Sequence, residues 1–143
     1  MASKSRLFDL MRRQEALGAR KAASGLGTLT AEHNQHRDLA QRLSEMISET
    51  LHGSAPGSAP ILPQQLRTAM ALSQKLEEQR EVAANRAEFI ATEMQNVRDT
   101  LMRHQRREAM LDDRAQSLRR EEANEVEAKA EAAAPPRKGR GPI

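Results

Sequence analysis

A seam of apolar positions runs through the second half of the chain with a period of 3.5 residues. From Leu62, positions alternately four and three apart read Leu62, Leu66, Ala69, Ser73, Leu76, Arg80, Ala83, Ala87, Ile90, Met94, Val97, Leu101, His104, Glu108, Leu111, Ala115 and Leu118. Thirteen of these seventeen are apolar. Such a repeat, sustained over about eight heptads, predicts a long helix packed on another in left-handed coiled-coil fashion. The first part of the chain is less regular. Ala22, Leu26, Leu29, His33, His36, Ala40, Leu43 and Ile47 keep one register, while Leu7, Leu10 and Leu17 sit in another. The slip is expected near Ser24-Gly25-Leu26-Gly27, where two glycines weaken a helix by about 1 kcal/mol each relative to Ala.

Between the two patterns lies Gly53-Ser-Ala-Pro-Gly-Ser-Ala-Pro60, a tandem repeat of four residues. Its two prolines and two glycines exclude helix, because Pro removes an amide donor and clashes with the preceding turn. A first helix over 4–51, a loop over 52–63 and a second helix over 64–133 follow, with Pro63 suited to a first helical turn. Pro135-Pro136 ends the pattern, and 135–143 is expected to be a disordered basic tail. The fold class is therefore all-α: a long two-helix antiparallel coiled-coil hairpin with unequal helices, occupying 1–134.

A loop centred near residue 57 sets facing residues to sum to about 114 if both helices rise 1.5 Å per residue. That register opposes Arg6 to Glu108 and a Gly25–Gly27 notch to Phe89 and Ile90. It also exhausts the first helix near residue 110, so that residues beyond Leu111 project, pair with another molecule or fray.

Composition narrows the functional classes. Hydrophobic residues make up 38% and charged residues 30%, with a mean hydropathy of -0.76, too little apolar material for a thick globular core. Absence of cysteine excludes disulfides, thiolate metal sites and a thiol nucleophile. No apolar run approaches the roughly 20 residues that span a bilayer. The basic start, with Lys4, Arg6, Arg12, Arg13, Arg20 and Lys21, is broken by Asp9 and Glu15 and lacks an apolar targeting core, so it reads as part of the mature helix. A cytosolic location is expected. Net charge is only +3 and the two signs are interspersed, which argues against a nucleic-acid sleeve.

Candidate chemistry is sparse. His33 and His36 lack metal-site spacing and read as polar seam layers that fix register. Asp112-Asp113 and Glu121-Glu122 lie on an exposed helix without a pocket, so acid–base catalysis has no setting. The glycines form no phosphate-binding loop. Neither enzyme nor cofactor nor metal is expected. Leu7, Phe8, Leu10, Met11 and Leu17 are explained as well by the seam as by membrane-surface binding.

The basic opening Arg6-Leu-Phe-Asp-Leu-Met-Arg-Arg, the mid-chain break, Gln64-Gln65-Leu66 opening a longer charged helix, and a Lys/Glu/Arg-rich end resemble the FliJ family. That family supplies the central stalk of the bacterial flagellar type III export apparatus, with YscO-like injectisome relatives. The resemblance implies a cytoplasmic stalk and adaptor, peripheral to the inner membrane at the flagellar base. Its partners would be the export ATPase ring, the cytoplasmic domain of the export gate and export chaperones, with no small-molecule substrate. It matches a gate-contacting strip to Leu43, Met46, Leu66 and Met70, although the aromatics common there are missing. It turns Arg12, Arg13 and Arg20, with Arg119 and Arg120 in the segment Arg114 to Glu131, toward the ATPase. The competing expectation is a self-associating coiled-coil scaffold whose residues 112–132 pair between chains.

Overall fold

A computed structural model of the chain describes residues 3–52 and 62–134, all but the flanking Ser3, Leu62 and Ala134 in two helices. α1 spans Lys4–His52 and α2 spans Pro63–Ala133, 49 and 71 residues long, and no strand occurs among the described residues. The chain is an all-α two-helix hairpin. The Gly/Pro/Ser/Ala loop and the tail from Pro135 lie outside the described residues.

Local chemistry accounts for these limits. Ser3 stands at the N-cap of α1, its Oγ accepting from the Arg6 amide at 3.3 Å, which satisfies one of the donors a helix start leaves unpaired. α2 begins on Pro63, whose fixed φ and missing N–H suit a first helical position. Thr28, Thr30, Thr50, Thr68, Thr92 and Thr100 each fold a hydroxyl onto the carbonyl four residues back, so these β-branched polar residues stay helical without a bare donor.

The chain divides into two compact units. One comprises Lys21–Thr100; the other joins Met1–Arg20 to Leu101–Ile143.

In the Lys21–Thr100 unit the expected seam residues of α1, Ala22 through Ile47, are all at least half-withdrawn from solvent. On α2 the buried set is Ala83, Ala87, Ile90 and Met94, spaced four, three and four apart as the heptad pattern requires. Two expectations are corrected here. Leu62 and Leu66 are 61% and 49% exposed, so the seam starts at Ala69. Thr50, near the end of α1, lines a shallow open groove with Leu62, Gln64, Gln65, Thr68, Ala69 and Leu72, and every side chain from Leu62 to Thr68 stays exposed beside it. Nor is there a glycine notch. A Cβ on Gly25 or Gly27 would meet nothing within 4 Å, and Phe89, expected to fill it, is exposed with the Arg86 guanidinium 5.7 Å over its ring.

In the other unit the withdrawn α1 positions are Ser5, Phe8, Asp9, Arg12, Glu15, Ala16, Gly18 and Ala19, and of these Ser5, Phe8, Arg12, Glu15 and Ala19 keep a three-four spacing. They continue the three-four spacing of Ala22 and Leu26, so the slip expected near Gly25 does not occur. Within this unit the seam carries the polar residues Ser5, Arg12 and Glu15 beside Phe8 and Ala19, while Leu7, Leu10 and Leu17 are turned out to water. Across it, Ser5 donates from Oγ to Glu122 Oε2 at 2.7 Å and from its amide to Glu122 Oε1 at 3.2 Å. A carboxylate on α2 thereby caps the positive end of α1, a favourable charge–dipole placement. Arg119 pairs with Asp9. Arg12 lies 3.9 Å from Glu108 and 3.8 Å from Asp112. His104 donates from Nδ1 to Glu15 Oε2 at 2.6 Å, and Arg107 stands 3.8 Å from the other oxygen of Glu15.

These pairs sum to between 119 and 128, not 114. Arg12 rather than Arg6 meets Glu108, and Ala115 and Leu118 are buried, so α2 is paired as far as Glu122 rather than Leu111. The midpoint estimate failed because it made the uncovered first turns of α2 face α1. Register is held instead by Glu122 on Ser5 and by His104 on Gly18, where an added Cβ would fall 2.6 Å from the imidazole Cε1. Only glycine lets that ring lie against α1 while bonded to Glu15.

Candidate functional site

A two-helix hairpin has no deep cleft, so its chemistry lies on surfaces. Among the described residues no group of three metal-ligating side chains comes together, and His33 and His36 occupy seam positions. No helix is long and apolar enough to cross a membrane.

The five arginines expected to face an ATPase fall into two sets. Arg12 and Arg119 are engaged internally: both hold Asp9, and Arg12 also reaches Glu108 and Asp112. Arg12 is only 31% exposed and its Nε, buried, lacks a hydrogen-bond partner despite carboxylates at 3.8 Å. Its role is register within the seam. Arg13, Arg20 and Arg120 are exposed and make no ion pair among the described residues. Arg13 and Arg20 line one shallow groove with Arg12, Ala16 and Leu17, whereas Arg120 stands apart on α2.

The outward face of α1 is more uniform than its sequence suggested. Asp9 and Glu15 are drawn into the seam, so every exposed charged side chain from Lys4 to Lys21 is basic: Lys4, Arg6, Arg13, Arg20 and Lys21. Beside them lie the exposed apolar residues Leu7, Leu10, Met11 and Leu17. The signal was available in the spacing. Leu7, Leu10, Gln14 and Leu17 follow a second three-four repeat, with Arg6, Arg13 and Arg20 exactly one heptad apart on its flank. A flank of this kind is where coiled coils place partner-selecting charges.

The residues matched to the gate strip lie in the other unit. Leu43 is half-withdrawn in the seam, while Met46, Leu66 and Met70 are 48%, 49% and 58% exposed. Leu51, Leu62 and Leu72 are exposed as well. These exposed large apolar side chains lie on the two helical stretches that flank the loop, and methionine adapts to irregular partners.

No protein-family model matches the chain, and neither a curated protein nor a solved structure matches it.

Proposed function

We propose that the chain is a non-enzymatic stalk and adaptor of a bacterial flagellar-type protein export apparatus, coupling the export ATPase ring to the membrane export gate and handling export chaperones. It would act in the cytoplasm, held at the inner membrane through protein contacts. The observation that carries this reading is the contrast between two free surfaces. Exposed methionine and leucine flank the loop, at Met46, Leu66 and Met70, and uncompensated arginine covers the outer face at the start of α1.

Each surface suits a different partner. Exposed thioether and aliphatic groups favour an apolar docking strip on the gate's cytoplasmic domain. Arg13, Arg20 and Arg120, unpaired, favour acidic positions on an ATPase collar, where solvated charge gives orientation and fast exchange rather than tight binding. Arg12 and Arg119 would act only by holding the helices in register.

The test is capture from a flagellated cell extract with the full chain as bait, followed by ATPase assays on the captured enzyme. The chain should recover both the export ATPase and the gate protein and raise ATP hydrolysis. Met46→Asp with Met70→Asp should lower gate capture at least tenfold with helicity unchanged, since both side chains are exposed. Recovery of neither protein sinks the proposal.

A further inference from the structure

We propose that the outer face at the start of α1 is the docking site for the free end of α2 in a second copy of this chain, forming a two-fold, end-to-end dimer. The inference does not rest on the export reading.

The face is an unpartnered helical stripe, with Leu7 and Leu10 54% and 53% exposed and Met11 beside them. Arg6 and Arg13 line one flank without a counter-charge among the described residues. Its occupant should be a helix with a complementary stripe and acidic flank, and the chain itself exposes one. Beyond Glu122 every described residue of α2 is exposed, because α1 begins at Lys4 and its Ser5 is already matched to Glu122. Along this stretch Ala123, Val126, Ala130 and Ala133 keep the three-four spacing, Val126 is 67% exposed, and Glu127 and Glu131 lie on one flank.

Direction and length agree. When two copies meet start to start about a two-fold axis, the free end of each α2 runs on beside the other copy's α1, parallel to it. Residues 123–133 cover about 16 Å at 1.5 Å per residue, enough to reach from Lys4 to about Gln14 of the second copy. In parallel packing the position just before the first stripe residue of one helix faces the position just after the second stripe residue of the other. Those positions are Arg6 and Arg13 on α1 and Glu127 on α2. The contact occurs twice by symmetry, closing the assembly without leaving an open chain of copies. An anionic membrane is the less suited occupant: the face offers four aliphatic side chains and no exposed aromatic, and would leave the end of α2 uncovered.

The chain's mass should therefore double with concentration in sedimentation equilibrium, and salt should weaken the association. Ending the chain at Glu122 removes the occupant but no buried residue, and should leave a helical monomer. Arg6→Glu with Arg13→Glu, and separately Glu127→Arg with Glu131→Arg, should each raise the dimer dissociation constant at least tenfold. Mixing the two variants should restore association, since in the mixed pair both contacts again join opposite charges. A chain monomeric at all concentrations, a dimer that survives truncation at Glu122, or variants that fail to recover on mixing would overturn the proposal. So would binding of the monomer to phosphatidylserine vesicles through Leu7 and Leu10 with no self-association.

Discussion

Replacing Ile90 by alanine is expected to lower the unfolding free energy by about 3 kcal/mol, within the range found for large-to-small changes in packed cores. Ile90 is 0% exposed and is the one large side chain fully buried among the described residues. Its neighbours along the α2 seam, Ala83, Ala87 and Met94, include two that are too small to move into the vacated volume. The core is one side chain thick, so no second layer collapses inward. Urea unfolding followed by helical circular dichroism should show a clear fall in midpoint. Leu66→Ala, made at the other apolar position of the same four-three pattern but on a residue that is 49% exposed, should stay within about 0.5 kcal/mol of the parent. Equal effects at the two sites would contradict a seam that begins at Ala69.

The second large effect is expected at Arg12. Changing it to leucine leaves Asp9, Glu108 and Asp112 clustered without the guanidinium that stands within 4 Å of all three. Removing one partner of a fully buried ion pair costs about 3–5 kcal/mol. Arg12 and its carboxylates keep between 22% and 47% exposure, so solvent screening reduces the expected loss to about 2 kcal/mol. Raising salt should shrink the difference further. Arg13→Leu, one residue along and exposed, should be close to neutral. If the two substitutions behave alike in the same denaturation experiment, the cluster does not hold the helices.

The architecture was legible because its cause is local. From Ala69 to Leu118 the four-three spacing coincides with side chains withdrawn from solvent, and Arg80, His104 and Glu108 keep their seam places despite their polarity. The start of α1 was illegible for the opposite reason. Its seam positions include the polar Ser5, Arg12 and Glu15 beside Phe8 and Ala19, while its large aliphatics at Leu7, Leu10 and Leu17 face water, so hydrophobicity pointed to the wrong side of the helix. Register was also hidden. It depends on contacts more than a hundred residues apart in sequence, such as Ser5 with Glu122, and on the space Gly18 leaves for His104. Gly25 and Gly27 looked more like a packing site than Gly18 because they stand close together, yet nothing packs on them. The arginines of the candidate surface were visible by type and position. Only the carboxylates across the seam divide Arg12 and Arg119, which are engaged, from Arg13, Arg20 and Arg120, which are free.

The dimer proposal depends on where the pairing of α1 with α2 stops, since that sets which part of α2 is free to meet a partner. Residue-resolved amide hydrogen exchange, at protein concentrations low enough to keep the chain monomeric, measures this directly. Amides of α2 should exchange slowly through Ala115, Leu118 and Glu122, and protection should fall away over the next two turns toward Ala133. Fast exchange from Leu111 onward, or protection as strong at Ala130 as at Leu118, would contradict the register held by Ser5 and Glu122.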